Sequence, residues 1–199
     1  MSTRSPSRAE SEVSPMPTAK PNVLVLHSSR FGQSIKIASA INTELLARGL
    51  TSDFGPLTAA TAPNPAKHQA LVLVASVRYG YFDRNAHRLI SQYGWWLDTI
   101  PTLLVTVSLT ARKEEKRDPA VHSYTKKFLE ETGWTPTHTE VVAGALEYPR
   151  YNLLDKKAIQ LIMSMTKGPT DPTTVIEYTD WDRVKATADE FADLVLAKK

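Results

Sequence analysis

The chain has 199 residues, enough for one α/β domain with a sizeable core and too few for two comfortable domains. Its 42% hydrophobic and 23% charged content is typical of a globular protein, and its apolar stretches fall short of the roughly 18 to 20 residues that span a bilayer. Because cysteine is absent, disulfides, thiolate metal sites and dithiol redox chemistry are excluded, and any redox chemistry requires a bound cofactor. The net charge of +3 is too small to require a polyanionic partner.

The first 20 residues differ in composition from the rest of the chain. They are rich in Ser, Pro and Arg and lack an apolar run that could act as a secretory signal, which predicts a disordered N-terminal tail over residues 1–20. An organellar transit peptide would share the Arg and Ser content but is acid-poor, unlike a segment with Glu10 and Glu12. A single domain is expected over residues 21–199.

Strand and helix patterns alternate along the domain. Short apolar runs predict strands at 23–26, 51–54, 71–74, 103–107 and 141–143. Apolar residues at helical spacing predict helices at 35–46, 84–96, 124–132 and 182–197. This alternation indicates an α/β fold with a doubly wound, five-stranded parallel sheet.

A long interruption precedes the last helix. Residues 147–173 form a detour, after which strand character returns at 175–176, so the last strand is predicted to be split by a helical insertion. The insertion has a wide apolar arc that fits either an extra helix packed on the domain or an amphipathic helix in a membrane interface. In the membrane interpretation, lysines contact headgroups and tyrosines mark the aromatic boundary, namely Lys156, Lys157, Lys167, Tyr148 and Tyr151.

The loop after the first strand has the features of a phosphate site. In parallel sheets, ligands bind beyond the carboxyl ends of the strands, and free N–H groups at a helix start favour anions. The candidate residues are Ser28, Ser29, Arg30, Phe31, Gly32, Gln33 and Ser34. An ordinary serine-capped helix would use similar residues and remains the alternative.

Two further loops lie at the same predicted edge. The first contains Ser76, Val77, Arg78, Tyr79 and Gly80, and Tyr79 is the preferred residue for stacking on a flat heteroaromatic ring, although aromatic residues also pack simply under loops. The second contains Ser108, Leu109, Thr110 and Ala111, which could donate backbone hydrogen bonds to the polar edge of that ring.

A mixed charge run follows the third loop. Residues 112–117 suit a solvated face, but Arg112, Lys113 or Arg117 could also pair with substrate carboxylates. The histidines lack metal-site spacing, and the chain has neither a Ser-His-Asp arrangement nor a nucleic-acid motif. We therefore expect no metal and no nucleic-acid partner.

Several motifs in register resemble one family. The three loops, with Ala-Gly-Ala-Leu-Glu-Tyr-Pro-Arg-Tyr at 143–151 and Tyr-Thr-Asp-Trp at 178–181, resemble the flavodoxin-type, quinone-dependent protoporphyrinogen IX dehydrogenases. The resemblance runs from about Asn22 to the C-terminal helix. It implies a long-chain flavodoxin fold, noncovalent FMN, and oxidation of protoporphyrinogen IX to protoporphyrin IX in haem synthesis, with a membrane quinone as electron acceptor.

The resemblance also carries expectations for individual residues. It implies phosphate binding by 29–34, an isoalloxazine ring between 76–80 and 108–111, and substrate propionates near Arg112, Lys113 or Arg150. Flavodoxins place a hydroxyl residue before the loop glycine, whereas this chain has Phe31, so one bond to the phosphate is missing. No catalytic side chain follows from the resemblance.

The family also implies a location. We expect a peripheral membrane protein, on the cytoplasmic face of a bacterial inner membrane or on a mitochondrial membrane, and homo-oligomer formation remains open.

Three other functions remain open at this point. A flavodoxin-like electron carrier would use the same loops, but such carriers are strongly acidic and this chain has a net charge of +3. A generic FMN-dependent quinone reductase would need a nicotinamide site, and the sequence indicates none. A non-enzymatic, membrane-associated scaffold would bind no flavin.

Overall fold

The computed structural model describes residues 20–198; residues 1–19 and Lys199 lie outside the described part, and with them all but Lys20 of the predicted tail. The strands are β1 (Asn22–Ser28), β2 (Thr51–Pro56), β3 (Ala70–Ser76), β4 (Thr102–Val107), β5 (His138–Val142), β6 (Ala145–Glu147) and β7 (Val175–Glu177). The helices are α1 (Gln33–Ala47), α2 (Arg84–Leu97), α3 (Ser123–Thr132), α4 (Leu153–Met165) and α5 (Trp181–Ala197), with short 3₁₀ turns at Leu109–Arg112, Glu114–Lys116 and Tyr148–Arg150.

Five strands form one parallel sheet in the order β2-β1-β3-β4-β5, which confirms the predicted doubly wound fold. Alternate residues of β1, β3 and β4 enter different cores. Val23 and Val25 pack with α1 and α5 on one face, whereas Leu24 and Leu26 pack with α2 and α3 on the other. This covering of both faces explains the continuous apolar runs in the sequence. The loops after β1, β3 and β4 consequently meet at one edge.

An ion pair joins α5 to β5, an edge strand of the sheet. The Glu140 side chain on β5 is only 3% exposed and accepts hydrogen bonds from Arg183 on α5 through Nε at 2.8 Å and Nη2 at 2.9 Å. The bidentate geometry compensates the burial of the carboxylate and raises the pKa of Arg183, chiefly through those hydrogen bonds.

The insertion has a small sheet at its base. The strand segments that flank it, β6 and β7, pair antiparallel with each other in a separate two-stranded sheet. Above them, Leu146, Tyr148, Tyr151 and Met163 form a separate buried cluster. The insertion therefore has its own core, packed on the edge of the domain.

The predicted membrane position of the two insertion tyrosines is wrong. Tyr148 is fully buried and Tyr151 is nearly so, because both rings fill the core of the insertion. The Tyr148 hydroxyl donates to the Pro169 carbonyl at 2.9 Å, and the Tyr151 hydroxyl accepts from the Glu147 N–H at 2.9 Å.

Helix α4 presents different surfaces to the domain and to solvent. Met163 is fully buried, in agreement with the interpretation of a helix packed on the domain. The outer side carries exposed apolar residues, namely Leu153, Leu154, Leu161 and Met165. None of the helices within residues 20–198 is long and apolar enough to cross a membrane.

Candidate functional site

A cleft, here called the central cleft, lies where the loops after β1, β3 and β4 meet the insertion. The predicted residues that line it are Ser29, Arg30, Phe31, Gln33, Ser34, Ser76, Val77, Arg78, Tyr79, Gly80, Ser108, Leu109 and Thr110. The lining also includes residues that sequence reasoning missed, namely Val107, Tyr124, Gly144, Ala145, Tyr151, Asp155, Ile159 and Ile162. The three predicted loops thus converge, and the insertion completes the wall.

Three residues predicted to bind the cofactor, Ser28, Gly32 and Ala111, do not line the central cleft. Ser28 is the last residue of β1, and its hydroxyl donates to Asp83 at 3.3 Å beside a neighbouring, more open cleft. Ala111 is fully buried under the third loop against Val141 and Ala143. Its position gives it a packing role.

The loop after β1 has the construction of an anion site. Gly32 is the N-cap of α1 with φ +99°, a left-handed conformation that favours glycine, and its N–H donates to Ser29 Oγ at 3.0 Å. The Ser34 side chain is 1% exposed, and its Oγ has no hydrogen-bond partner within residues 20–198. The first N–H groups of a helix also lack partners inside the helix. These donors fit a phosphate group.

Phe31 contacts the insertion. Its ring packs on Tyr151 of the insertion, with 4.6 Å between ring centroids. The missing hydroxyl before the loop glycine is therefore replaced by an apolar contact that holds the insertion.

The loop after β3 is a tight turn with two left-handed residues. Tyr79 has φ +50° and Gly80 has φ +83°, and Arg78 and Tyr81 exchange backbone hydrogen bonds of 2.9 and 3.0 Å. The left-handed conformation of Gly80 favours glycine, and a Cβ there would also crowd the Tyr124 ring at 3.2 Å. The turn presents the half-exposed Tyr79 ring at the cleft, with the Arg78 guanidinium 4.7 Å from its centroid.

Asp155 on α4 is the least expected member of the site. Its side chain is buried, and Oδ1 accepts hydrogen bonds from Arg78 Nη2 at 2.6 Å and from the Tyr79 hydroxyl, while Arg30 lies 3.6 Å from Oδ2. Burial by itself would raise the pKa of Asp155, but the bonds from Tyr79 and Arg78 and the charges of Arg78 and Arg30 outweigh it and lower the pKa. An ionised carboxylate therefore joins the insertion to two loops of the cleft.

A chain of hydrogen bonds runs from the third loop into the core. Ser108 Oγ contacts Thr110 Oγ1 at 2.9 Å, Thr110 Oγ1 contacts His122 Nε2 at 3.1 Å, and His122 Nδ1 contacts Thr125 Oγ1 at 2.8 Å. His122 is 1% exposed and caps α3 by accepting from the Thr125 N–H. Burial, with a smaller effect from the charge of Lys116, lowers the pKa of His122 to about 4. The imidazole is thus neutral at physiological pH.

The structure places the predicted substrate-binding cations differently from the sequence expectation. Arg112 donates to the Leu109 carbonyl at 3.2 Å and to the Thr166 carbonyl at 2.9 Å, and it lies outside the lining of the central cleft. Its guanidinium fastens the third loop to the end of α4, so its predicted substrate contact is not supported. Lys113 and Arg150 also lie outside the lining, and Arg117 donates to the Ala111 carbonyl at 3.1 Å.

Comparison with known proteins decides the family. A family model described as a flavodoxin domain matches residues 24–173. The protoporphyrinogen IX dehydrogenase (quinone) of Escherichia coli strain K12 is 38% identical over 171 residues, covering 86% of this chain and 94% of the relative. The chain belongs to the flavodoxin-type protoporphyrinogen IX dehydrogenase family. The resemblance found in the sequence is thereby confirmed.

Other relatives agree with this family. The protoporphyrinogen IX dehydrogenase (quinone) of Leishmania major is 37% identical over 183 residues, covering 92% of this chain and 79% of the relative. An archaeal flavodoxin structure aligns with a TM-score of 0.50 at 12% identity, covering 88% of this chain and 99% of that one. This structural similarity supports the flavodoxin fold.

We expect Asp155→Asn to weaken the attachment of the insertion. The variant keeps the side-chain size but leaves Arg78 and Arg30 without their anion, so the free energy of unfolding should fall by about 2 kcal/mol in urea titrations, and protease cleavage within 147–173 should accelerate. Asp98→Asn, at an exposed aspartate after α2, is the matched control and should change stability by less than about 0.5 kcal/mol. Equal effects of the two substitutions would show that Asp155 does not hold the insertion.

We also expect a pH dependence from His122. Its folded pKa of about 4 lies below the ordinary value of 6.5, so its contribution to stability is complete above pH 6.5 and is lost as the pH falls towards 4, by up to about 3 kcal/mol. His122→Asn keeps a capping side chain without this titration. Urea unfolding across that range should therefore show a shallower decline for the variant; parallel curves would contradict the assignment.

Proposed function

We propose that the chain binds FMN in the central cleft and catalyses the oxidation of protoporphyrinogen IX to protoporphyrin IX, with a quinone as electron acceptor. The observation that carries this proposal is the convergence of an anion-fitting loop and an aromatic turn on one cleft, in a chain with 38% identity to a protoporphyrinogen IX dehydrogenase over 86% of its length.

The residues of the cleft fit the parts of FMN. The N-terminus of α1, with the Ser34 hydroxyl that has no hydrogen-bond partner within residues 20–198, would hold the phosphate. Tyr79 would stack on the isoalloxazine ring, and the turn at Leu109–Arg112 would place backbone groups near its polar edge. Bound FMN supplies the two-electron redox chemistry that a chain without cysteine cannot provide itself.

The insertion would shape the substrate side of the site. Ile159 and Ile162 give the central cleft an apolar wall that suits a tetrapyrrole and excludes water. The neighbouring cleft shares Arg30, Arg78 and Tyr79 with the central cleft and adds Arg84, so cations lie where the substrate propionates could dock. These arginines replace Arg112 as the proposed contacts for the carboxylates.

The outer side of α4 suggests where the quinone enters. Leu154, Leu161 and Met165 are exposed beside the cleft wall, and the exposed Lys157 and Lys167 lie on the same segment. An apolar face accompanied by lysines suits the interface of an anionic bilayer, and membrane quinones are dissolved in that bilayer. We therefore propose peripheral membrane attachment through α4.

Turnover separates the competing functions. Under anaerobic conditions, FMN-loaded protein with protoporphyrinogen IX and a quinone should generate porphyrin fluorescence far faster than the same protein stripped of FMN. An electron carrier would show no acceleration by the loaded protein. In a generic quinone reductase, quinone would reoxidise the chemically reduced flavin, but the porphyrinogen would remain unchanged. Colourless protein that takes up no FMN would contradict the proposal at its first step.

Paired substitutions test the membrane face. We expect the double variant Leu154→Gln/Leu161→Gln to bind anionic vesicles at least about tenfold more weakly in flotation assays, because two leucines no longer enter the interface. Turnover with a water-soluble quinone should remain near wild type. Leu46→Gln, at an exposed leucine of α1, is the matched control and should leave vesicle binding unchanged. Undiminished binding by the double variant would exclude this face as the attachment surface.

A further inference from the structure

We infer that Arg150, at the start of the insertion, binds the phosphate of FMN and replaces the hydroxyl that Phe31 removes from the phosphate loop. This inference rests on the proposed binding of FMN and assigns Arg150 to the cofactor rather than to the substrate propionates.

The loop that Arg150 approaches has separate features of an anion site. Gly32 holds a left-handed conformation at the start of α1, and the buried Ser34 Oγ is without a hydrogen-bond partner in the described part of the chain. An unsatisfied buried hydroxyl is unfavourable unless a ligand completes it. Ser34 lies in the first turn of α1 and lines the central cleft. The first N–H groups of a helix lack partners inside the helix, so these donors suit an anion.

The position of the arginine places a cation over this loop. Arg150 Nη1 and Nη2 each lie 3.8 Å from the point that a Cβ on Gly32 would occupy. Nη1 also donates to Glu147 Oε2 at 2.6 Å, which orients the guanidinium, and within residues 20–198 its other N–H groups have no hydrogen-bond partner. The planar group presents two terminal nitrogens to the loop, an arrangement suited to bidentate contact with phosphate oxygens.

Phe31, which stands where flavodoxins have a hydroxyl residue, also helps to hold Arg150 in place. The Phe31 ring packs on Tyr151, the residue that follows Arg150, and the Tyr151 hydroxyl accepts from the N–H of Glu147. Glu147 in turn holds Arg150. With Phe31 in this position the loop lacks a neutral hydroxyl donor. In its place, the contact of Phe31 with Tyr151 helps to position a charged donor, the Arg150 guanidinium.

Comparing two flavins isolates the phosphate. FMN and riboflavin share the isoalloxazine ring, and riboflavin lacks the phosphate, so a phosphate ligand affects only the first. We expect Arg150→Gln to raise the Kd for FMN by about tenfold to a hundredfold in fluorescence-quenching titrations, the loss of one charge-assisted contact, and the Kd for riboflavin by less than about twofold. Arg150→Lys keeps the positive charge but loses the planar guanidinium that can make two parallel hydrogen bonds, so it should give an intermediate Kd for FMN.

The controls distinguish this inference from the proposed function. Arg88→Gln removes an exposed arginine of α2 outside both clefts and should leave both Kd values unchanged. Equal weakening of FMN and riboflavin by Arg150→Gln, or an unchanged FMN Kd, would overturn the phosphate role while leaving FMN-dependent catalysis intact. Wild-type protein that binds neither flavin would overturn the proposed function together with this inference.

Discussion

A buried carboxylate determines how the insertion meets the rest of the molecule. Asp155 cannot remain ionised inside the protein without compensation, since isolated buried charges are strongly unfavourable. Its compensation comes from Arg78 and Tyr79 on the loop after β3 and from Arg30 on the loop after β1. Those three residues also line the central cleft. The shape of the cleft and the attachment of the insertion therefore depend on the same contacts.

The insertion adds a wall to a cleft that the doubly wound sheet alone would leave open. Its own core, built on Tyr148 and Met163, allows a segment outside the main sheet to be rigid. Arg112 fastens the far end of α4 to the third loop, so both ends of the helix are tied to loops of the cleft. A carrier that only exchanges electrons needs an exposed flavin edge, whereas an enzyme that oxidises a large apolar substrate benefits from a shaped, water-excluding wall.

The sequence predicts the sheet well because buried parallel strands have an unmistakable composition, as in the Val-Leu alternation of β1 and β3. The convergence of the three loops follows from topology once the strands are placed. Other features depend on tertiary contacts that periodicity cannot reveal. An apolar arc shows that a helix will be covered but not by what. The sequence therefore fits both a packed and a membrane-facing insertion, whereas in the structure Tyr148 and Tyr151 face the protein. The local sequence does not identify Asp155 as a site residue, because its partners lie more than seventy residues earlier in the chain.

Cofactor binding and the order of the insertion are thermodynamically linked if Arg150 binds the phosphate. A ligand that binds more tightly when the insertion is packed against the cleft loops stabilises that packed arrangement. The packed arrangement in turn increases the affinity for the ligand by the same factor. The outer face of α4 belongs to the same segment, so a membrane that holds α4 would favour the arrangement of Arg150 and Asp155 that completes the cleft. Attachment to the bilayer and binding of FMN would then reinforce each other through one segment.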